Sequence, residues 1–244
     1  MKKLAGKIWL GWAGLWFASF FLAMWPLFYV FLSFRKTYPL AHGLRRLWGV
    51  LTCVPAGLIP VISREGQIPK NRRIIYCANH CSYLDILTCG TYLPGFNFFM
   101  AKMELSKVPL FRKWFDSVDV PVQRESLRSA HTAFHLAAEK MRSGAHMIIF
   151  PEGKIPPDTP KLHKFKPGAF RLAIEQEAVI IPVTLPDNHK RMDIYSWIAF
   201  PGIMRMCIHE AIDTRGMSAE DAGKLEQSVF EVMDINLKKR KVYA

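Results

Sequence analysis

At 244 residues the chain can bury one good-sized α/β core. Half of it is hydrophobic and its net charge is +13; no nucleic-acid motif interleaves the basic residues, so the charge points to anionic lipid rather than to nucleic acid. The five cysteines, Cys53, Cys77, Cys81, Cys89 and Cys207, are odd in number and lack a Cys-x-x-Cys pair, which reads as reduced, buried, cytosolic thiols rather than a disulfide framework.

The hydrophobic excess lies at the N-terminus. Ile8 to Phe34 holds no charged residue but carries Trp9, Trp12, Trp16, Phe17, Phe20, Phe21, Trp25 and Phe28. A helix over that run would reach about 40 Å, beyond a hydrocarbon core of roughly 30 Å. Pro26 argues against one straight rod. A second apolar run, Leu47 to Ile62, contains Pro55 and Pro60 and is short for a span. Lys2, Lys3 and Lys7 precede the first run, and Arg35, Lys36, Arg45 and Arg46 follow it, so loop charge selects no orientation for a single span. A hairpin or half-inserted helix pair that returns both flanks to one face fits better. The run is too long and bulky for a signal peptide, and its aromatic rings point all round the helix, unlike a soluble core helix. Residues 1–65 are therefore expected to form membrane-associating helices and residues 66–244 one α/β domain.

Within that domain the periodicity predicts a strand at Ile74–Ala78, a helix at Asp85–Tyr92 stopping near Pro94-Gly95, and strands at Phe96–Ala101 and Val118–Val122. The clearest helix is Ser126–Arg142, with Leu127, Ala130, Phe134, Ala137 and Met141 at helical spacing and Gly144 as its stop. A strand at His146–Phe150, a helix at Pro167–Glu177, strands at Val179–Val183 and Met204–His209, and a helix at Ser218–Lys241 complete the order. The basic end of that last helix suits its dipole. Alternating strands and helices predict a mixed, mostly parallel central sheet flanked by helices.

The chemistry concentrates after two of these strands. Asn79-His80-Cys81-Ser82-Tyr83-Leu84-Asp85 follows the first, and Phe150-Pro151-Glu152-Gly153 ends a later one. Five residues of regular helix would put His80 and Asp85 on different faces. They can meet if His80 sits in the turn and Asp85 in the first helical turn, where the carboxylate would fix the imidazole tautomer and leave the other nitrogen to accept a proton. The rival reading is a helix-capping Asp beside a structural His. Ser82 and Cys81 are candidate nucleophiles by residue type only, and Ser82 lacks a Gly-x-Ser-x-Gly elbow. Cys77, His80 and Cys81 have poor spacing for zinc and no distal ligands.

Asn-His-x-x-x-x-Asp followed by Phe-Pro-Glu-Gly resembles the glycerolipid acyltransferase family, typified by the 1-acylglycerol-3-phosphate (lysophosphatidic acid) acyltransferases. The resemblance covers roughly residues 70–210. It includes Lys102 in Ala101-Lys102-Met103-Glu104-Leu105, Val120-Pro121-Val122-Gln123-Arg124, Ile180-Ile181-Pro182-Val183, and Phe165-Lys166-Pro167-Gly168-Ala169-Phe170. It implies a membrane-bound enzyme that moves an acyl group from acyl-CoA or acyl-carrier protein to a lysolipid hydroxyl. No metal or cofactor is implied, and a bacterial member would lie on the cytoplasmic face of the inner membrane. By this likeness His80 is the general base and Asp85 its orienter. Glu152 and Gly153 hold the acceptor headgroup, Lys102 and Arg124 bind its anionic part with help from Lys166, and Pro182 shapes the acyl-donor side. A backbone N–H near Glu152-Gly153 or in the His80 turn is the expected oxyanion donor. The family usually continues Phe-Pro-Glu-Gly with Thr or Ser, then Arg; here Lys154-Ile155 stand instead, and the bidentate arginine fork is missing. Lysophosphatidic acid is the first expected acceptor and a carboxylate-headed lyso-aminolipid the second. A non-catalytic membrane protein that kept the fold is the other class.

Overall fold

The computed structural model describes residues 1–123 and 126–243. In chain order it contains α1 (Lys2–Phe31), α2 (Tyr38–Cys53), β1 (Leu58–Arg64), β2 (Ile74–Ala78), α3 (Leu84–Tyr92), β3 (Asn97–Lys102), α4 (Pro109–Ser117), β4 (Val120–Val122), α5 (Leu127–Arg142), β5 (His146–Ile149), α6 (Gly168–Glu175), β6 (Val179–Thr184), α7 (Asn188–Arg191), β7 (Met192–Asp193), β8 (Ile198–Ala199), β9 (Gly202–Ile208), β10 (Ile212–Asp213) and α8 (Ala222–Lys239).

The central sheet runs β1-β9-β6-β2-β5-β3-β4, with β10 also on β6. Its pairs are parallel except β6–β9 and β6–β10, as the alternation of strands and helices predicts. β2 is Ile-Ile-Tyr-Cys-Ala and wholly buried, the continuous apolar run of a strand covered on both faces. Its alternation sends Ile75 and Cys77 into one core, with residues of α1, α2, α4, α5, α6 and α8, and Ile74, Tyr76 and Ala78 into the other, with Cys89 and Leu93. Helix α5 begins where the Ser126 hydroxyl accepts the Ser129 N–H at 3.2 Å, and Gly144 follows it with φ +94°.

Two expectations about the N-terminus are corrected. Helix α1 runs on through Pro26 as one 30-residue element, about 45 Å long. It does pair with α2 as a hairpin: Trp48 of α2 donates to the carbonyl of Phe17, and just past the end of α2 the carbonyls of Ala56 and Pro55 accept from Trp9 and Trp12. However, the turn lies at residues 32–37, so Lys2 and Lys7 stand at one end of α1 and Arg35 and Lys36 at the other, not on a shared face. Arg45 is no membrane flank either. It is buried, 3.5 Å from Asp119, donates to the Asn97 carbonyl, and lies against Phe99 and Trp114.

The second correction concerns the boundary at 65. β1 already belongs to the sheet, paired along its whole length with β9. Phe21 and Phe28 pack on Trp48 and Trp114 inside the larger core. Phe17, Phe20, Met24 and Trp25 lie partly buried against that core, while Leu4, Ile8, Leu15 and Leu22 on the same helix face outward; the helix is long and apolar enough to cross a membrane.

Deleting residues 1–65 is therefore expected to unfold the chain rather than release a soluble domain. Losing a buried Phe or Trp costs about 3–5 kcal/mol each, and three go with this segment, against a typical total stability of about 5–15 kcal/mol. Circular dichroism and thermal melting of the 66–244 fragment check this; a cooperative melt would mean that the hairpin is separable.

Candidate active site

The sheet delivers three turns to one place. The carboxyl ends of β2, β5 and β6 bring together Asn79–Ser82, Phe150–Gly153 and Leu185–Asn188, the position where open α/β sheets place their sites. Asn79 ties two of the turns: its Oδ1 accepts the Leu185 N–H at 2.7 Å.

His80 lies in the turn and Asp85 in the first turn of α3, with Nδ1 and Oδ2 2.9 Å apart. A carboxylate only accepts, so Nδ1 carries the proton and Nε2 is left with the lone pair. No hydrogen bond within the described residues engages Nε2. The ring stacks on Phe150 at 4.0 Å and 13°, which fixes its plane. Asp85 is fully buried and well supplied with donors. Its Oδ2 also accepts the N–H groups of Cys81 and Ser82 at 2.6 and 2.8 Å, and its Oδ1 accepts from Asn188 Nδ2 at 2.9 Å. The two readings of Asp85 are thus not exclusive: one carboxylate closes the turn ahead of α3 and orients the histidine.

Glu152 supports the same turn. It is buried, its Oε1 accepts the His80 N–H at 2.8 Å and its Oε2 the His163 N–H at 3.3 Å. Each oxygen thus accepts one backbone N–H, and Glu152 braces the His80 turn from the Phe150–Gly153 side. Burial pushes its pKa up to about 8, against the pull of those two N–H donors. Gly153 adopts φ +78°, and a Cβ there would lie 2.8 Å from Lys166 Cε, so both backbone and space call for glycine.

The expected oxyanion donors are largely committed. The His80 N–H goes to Glu152, those of Cys81 and Ser82 to Asp85, and that of Gly153 to the Phe150 carbonyl. Neither candidate nucleophile is free. Ser82 Oγ donates to the Met192 carbonyl at 2.8 Å. The Cys81 thiol points at the Leu185 carbonyl, and burial raises its pKa well above the ordinary thiol range. Among the described residues no three metal-ligating side chains gather.

Beside the Phe150–Gly153 turn opens a cleft of about 480 Å³ between α5 and α6. Met100, Val122, Phe134 and Ile149 give it apolar walls, and Lys166 and Arg171 bring charge to it. Lys166 thus sits where an anionic group near the site can be met. Lys102 ends β3, mostly exposed and 3.5 Å from Glu104, outside that lining. Arg124 lies outside the described residues. Pro182 is buried within β6, opposite Cys77 of β2, a sheet residue rather than a wall of the cleft. Asn188 is a neighbour of the dyad that local sequence could not suggest: it reaches Asp85 from a turn 103 residues away.

Comparison with known proteins points to one family. The acyltransferase family model matches residues 61–186. The chain is 26% identical over 215 residues to a 1-acyl-sn-glycerol-3-phosphate acyltransferase of Chlamydomonas reinhardtii, covering 87% of this chain and 64% of that protein. It is 29% identical over 214 residues to a chloroplastic 1-acyl-sn-glycerol-3-phosphate acyltransferase of Arabidopsis thaliana, covering 86% and 58%. It therefore spans about three fifths of the length of these relatives. In fold it is similar to the crystal structure of the 1-acyl-sn-glycerophosphate (LPA) acyltransferase PlsC from Thermotoga maritima, with TM-score 0.79 and 24% identity over 100% of this chain and 99% of that one. The matched segment takes in the whole first motif, the Phe-Pro-Glu-Gly turn and the strand that brings up Asn188, and on that evidence the chain belongs to the acyltransferase family.

Proposed function

We propose that this protein transfers a fatty acyl group from an acyl thioester, acyl-CoA or acyl-carrier protein, to the free hydroxyl of a lysolipid, with 1-acylglycerol-3-phosphate as acceptor and phosphatidic acid as product. The observation that carries this reading is His80, held by Asp85 through one nitrogen, with the other uncommitted beside a mostly apolar cleft that also bears cations. In this mechanism Nε2 takes the proton of the acceptor hydroxyl as its oxygen attacks the thioester carbonyl. Asp85 stabilises the imidazolium that forms. The tetrahedral intermediate collapses with loss of thiolate, and the imidazolium returns the proton to that sulfur. Neither Ser82 nor Cys81 is available to form an acyl-enzyme, which supports direct transfer. The names of the relatives support the phosphate-headed acceptor, and Lys166 and Arg171 supply charge for it, although without the planar fork of the missing arginine.

Docking at a membrane surface goes with this chemistry, because both acyl chains can stay in lipid while the polar reaction proceeds at the interface. The outward apolar side of α1, including Leu4, Ile8, Leu15 and Leu22, each more than half exposed, supports it. The five free, buried cysteines accord with a reducing compartment and hence a cytoplasmic face.

The test is an acceptor panel with purified protein in vesicles and one acyl-CoA. Lysophosphatidic acid is expected to be the preferred acceptor, with product formed in proportion to added lysolipid. Preference for a lyso-aminolipid would instead assign the Lys154–Lys166 loop to a carboxylate. Donor binding without transfer to any lysolipid would make the protein a non-catalytic relative.

A further inference from the structure

The tip of the β7–β8 hairpin turns large aromatic rings to the outside, Tyr195 at 53% exposure and Trp197 at 57%. Trp197 holds φ +49°, a left-handed conformation that a bulky residue rarely adopts and that carries an energetic cost. The turn is built to keep it: Asp193 Oδ1 accepts the N–H groups of Tyr195 and Ser196 at 2.9 and 3.2 Å. Strain held on an outward tryptophan adds nothing to the core, so the use of the ring lies outside the chain. The hairpin is also fastened to both turns of the active site. Ser82 Oγ donates to the Met192 carbonyl at 2.8 Å, and Tyr195 Oη donates to the carbonyl of Ile155, just past the Phe150–Gly153 turn, at 3.1 Å. Tyr83, half-exposed beside His80, sets its ring 6.3 Å from that of Trp197. On its other side the hairpin meets α1: a Cβ on Gly6 would lie 2.8 Å from Phe200 Cζ and 2.9 Å from Ile198 Cβ. Around that contact Lys2, Lys3, Leu4, Lys7 and Ile8 are exposed.

We propose that the tip of the β7–β8 hairpin is a second membrane contact, separate from the apolar run of α1, with Trp197, Tyr195 and Tyr83 seated at the headgroup level of an anionic bilayer. Tyrosine and tryptophan favour that level because each joins an apolar ring to a polar edge. The lysines at the adjoining end of α1 match the negative surface of such a bilayer. The one acid of the hairpin, Asp193, is engaged in its own turn. The contact presupposes the membrane docking proposed above and gives it a geometry. A helix alone fixes the protein to lipid but lets it pivot; a second contact beside the His80 turn sets the depth and tilt at which Nε2 meets a hydroxyl held in the bilayer.

The experiment places a nitrobenzoxadiazole fluorophore on Trp197→Cys in the full chain, where the five native cysteines are buried. The protein is reconstituted in vesicles of phosphatidylcholine and phosphatidylglycerol, with and without doxyl-labelled lipid. The control is Ser228→Cys, exposed on α8, which packs on the sheet face opposite α3. Doxyl lipid is expected to quench the probe at 197 and not at 228. Trp197→Asn suits a left-handed backbone and is expected to melt no lower than the parent. It should raise the KM for long-chain lysophosphatidic acid in vesicles about tenfold, equivalent to about 1.4 kcal/mol, with kcat kept. On a short-chain acceptor in detergent it should match the parent, and Trp197→Phe should restore most of the vesicle KM. If the parent transfers to neither acceptor, the acyltransferase reading fails and the probe alone decides the contact. Equal quenching at 197 and 228, or an unchanged vesicle KM in Trp197→Asn, would overturn it. So would a dimer that Trp197→Asn abolishes, which would assign the ring to a second copy of the chain.

Discussion

Replacing His80 by Ala is expected to lower acyl transfer by about 10²–10⁴-fold, the range contributed by a positioned general base, while the protein still folds and still sediments with vesicles. The structure says why folding survives. His80 supplies only one of the donors to Asp85; the backbone N–H groups of Cys81 and Ser82 stay in place on Oδ2, and the brace from Glu152 reaches the His80 main chain, not its ring. What is lost is one hydrogen bond and the stack on Phe150, a cost of about 1–3 kcal/mol. For a chain of this size that lowers the melting temperature by about 2–4 °C per kcal/mol. Ser82→Ala is the matched control: its hydroxyl serves Met192, so most of the rate should persist. Measuring kcat and the melting temperature of both variants separates the roles, and near-normal turnover in His80→Ala would remove histidine from the mechanism.

The dyad was legible in the sequence because everything it needs is local. A turn residue, a carboxylate in the next helical turn and an apolar strand before them lie within a dozen positions. The same holds for β2, β6 and α5, whose periodicity or continuous burial is written in adjacent residues. Longer-range features were not legible. Asn188 is an ordinary Asn until the β6 turn brings it to Asp85. Glu152 carries the family motif, yet only the folded chain shows each of its oxygens accepting a backbone N–H, from His80 and from His163. β1 was hidden within an apolar run because it is an edge strand with one buried residue of seven, so no alternation marks it, and an edge strand tolerates its Pro60. The N-terminal run misled for a related reason. Apolar excess does not tell which rings face protein, and Phe21 and Phe28 turn inward while Leu15 and Leu22 on the same helix do not.

The change Asp85→Asn is expected to cost about 10²–10⁴-fold in kcat, with KM little changed and the fold intact, whereas Asp85→Ala is expected not to fold. The difference follows from the donors. In the Ala variant the N–H groups of Cys81 and Ser82, the His80 ring N–H and the Asn188 amide all lose their acceptor in a buried site. At about 1–3 kcal/mol each these losses rival the whole stability of a domain, about 5–15 kcal/mol. In the Asn variant one carbonyl oxygen can stay where Oδ2 was and keep three of those donors. Its new amide group then faces Asn188, which can turn so that its own Oδ1 accepts; that oxygen has no hydrogen-bond partner within the described residues. Geometry and tautomer are preserved, and what disappears is the charge that stabilises the imidazolium formed during transfer. In a Ser-His-Asp triad the corresponding change costs about 10⁴ in kcat, there through the wrong tautomer; here the retained oxygen argues for a loss at or below that figure. Steady-state kinetics with the melting temperature of each variant decide the matter. Full kcat in Asp85→Asn would reduce the carboxylate to a turn-closing group, and histidine would then act without electrostatic support.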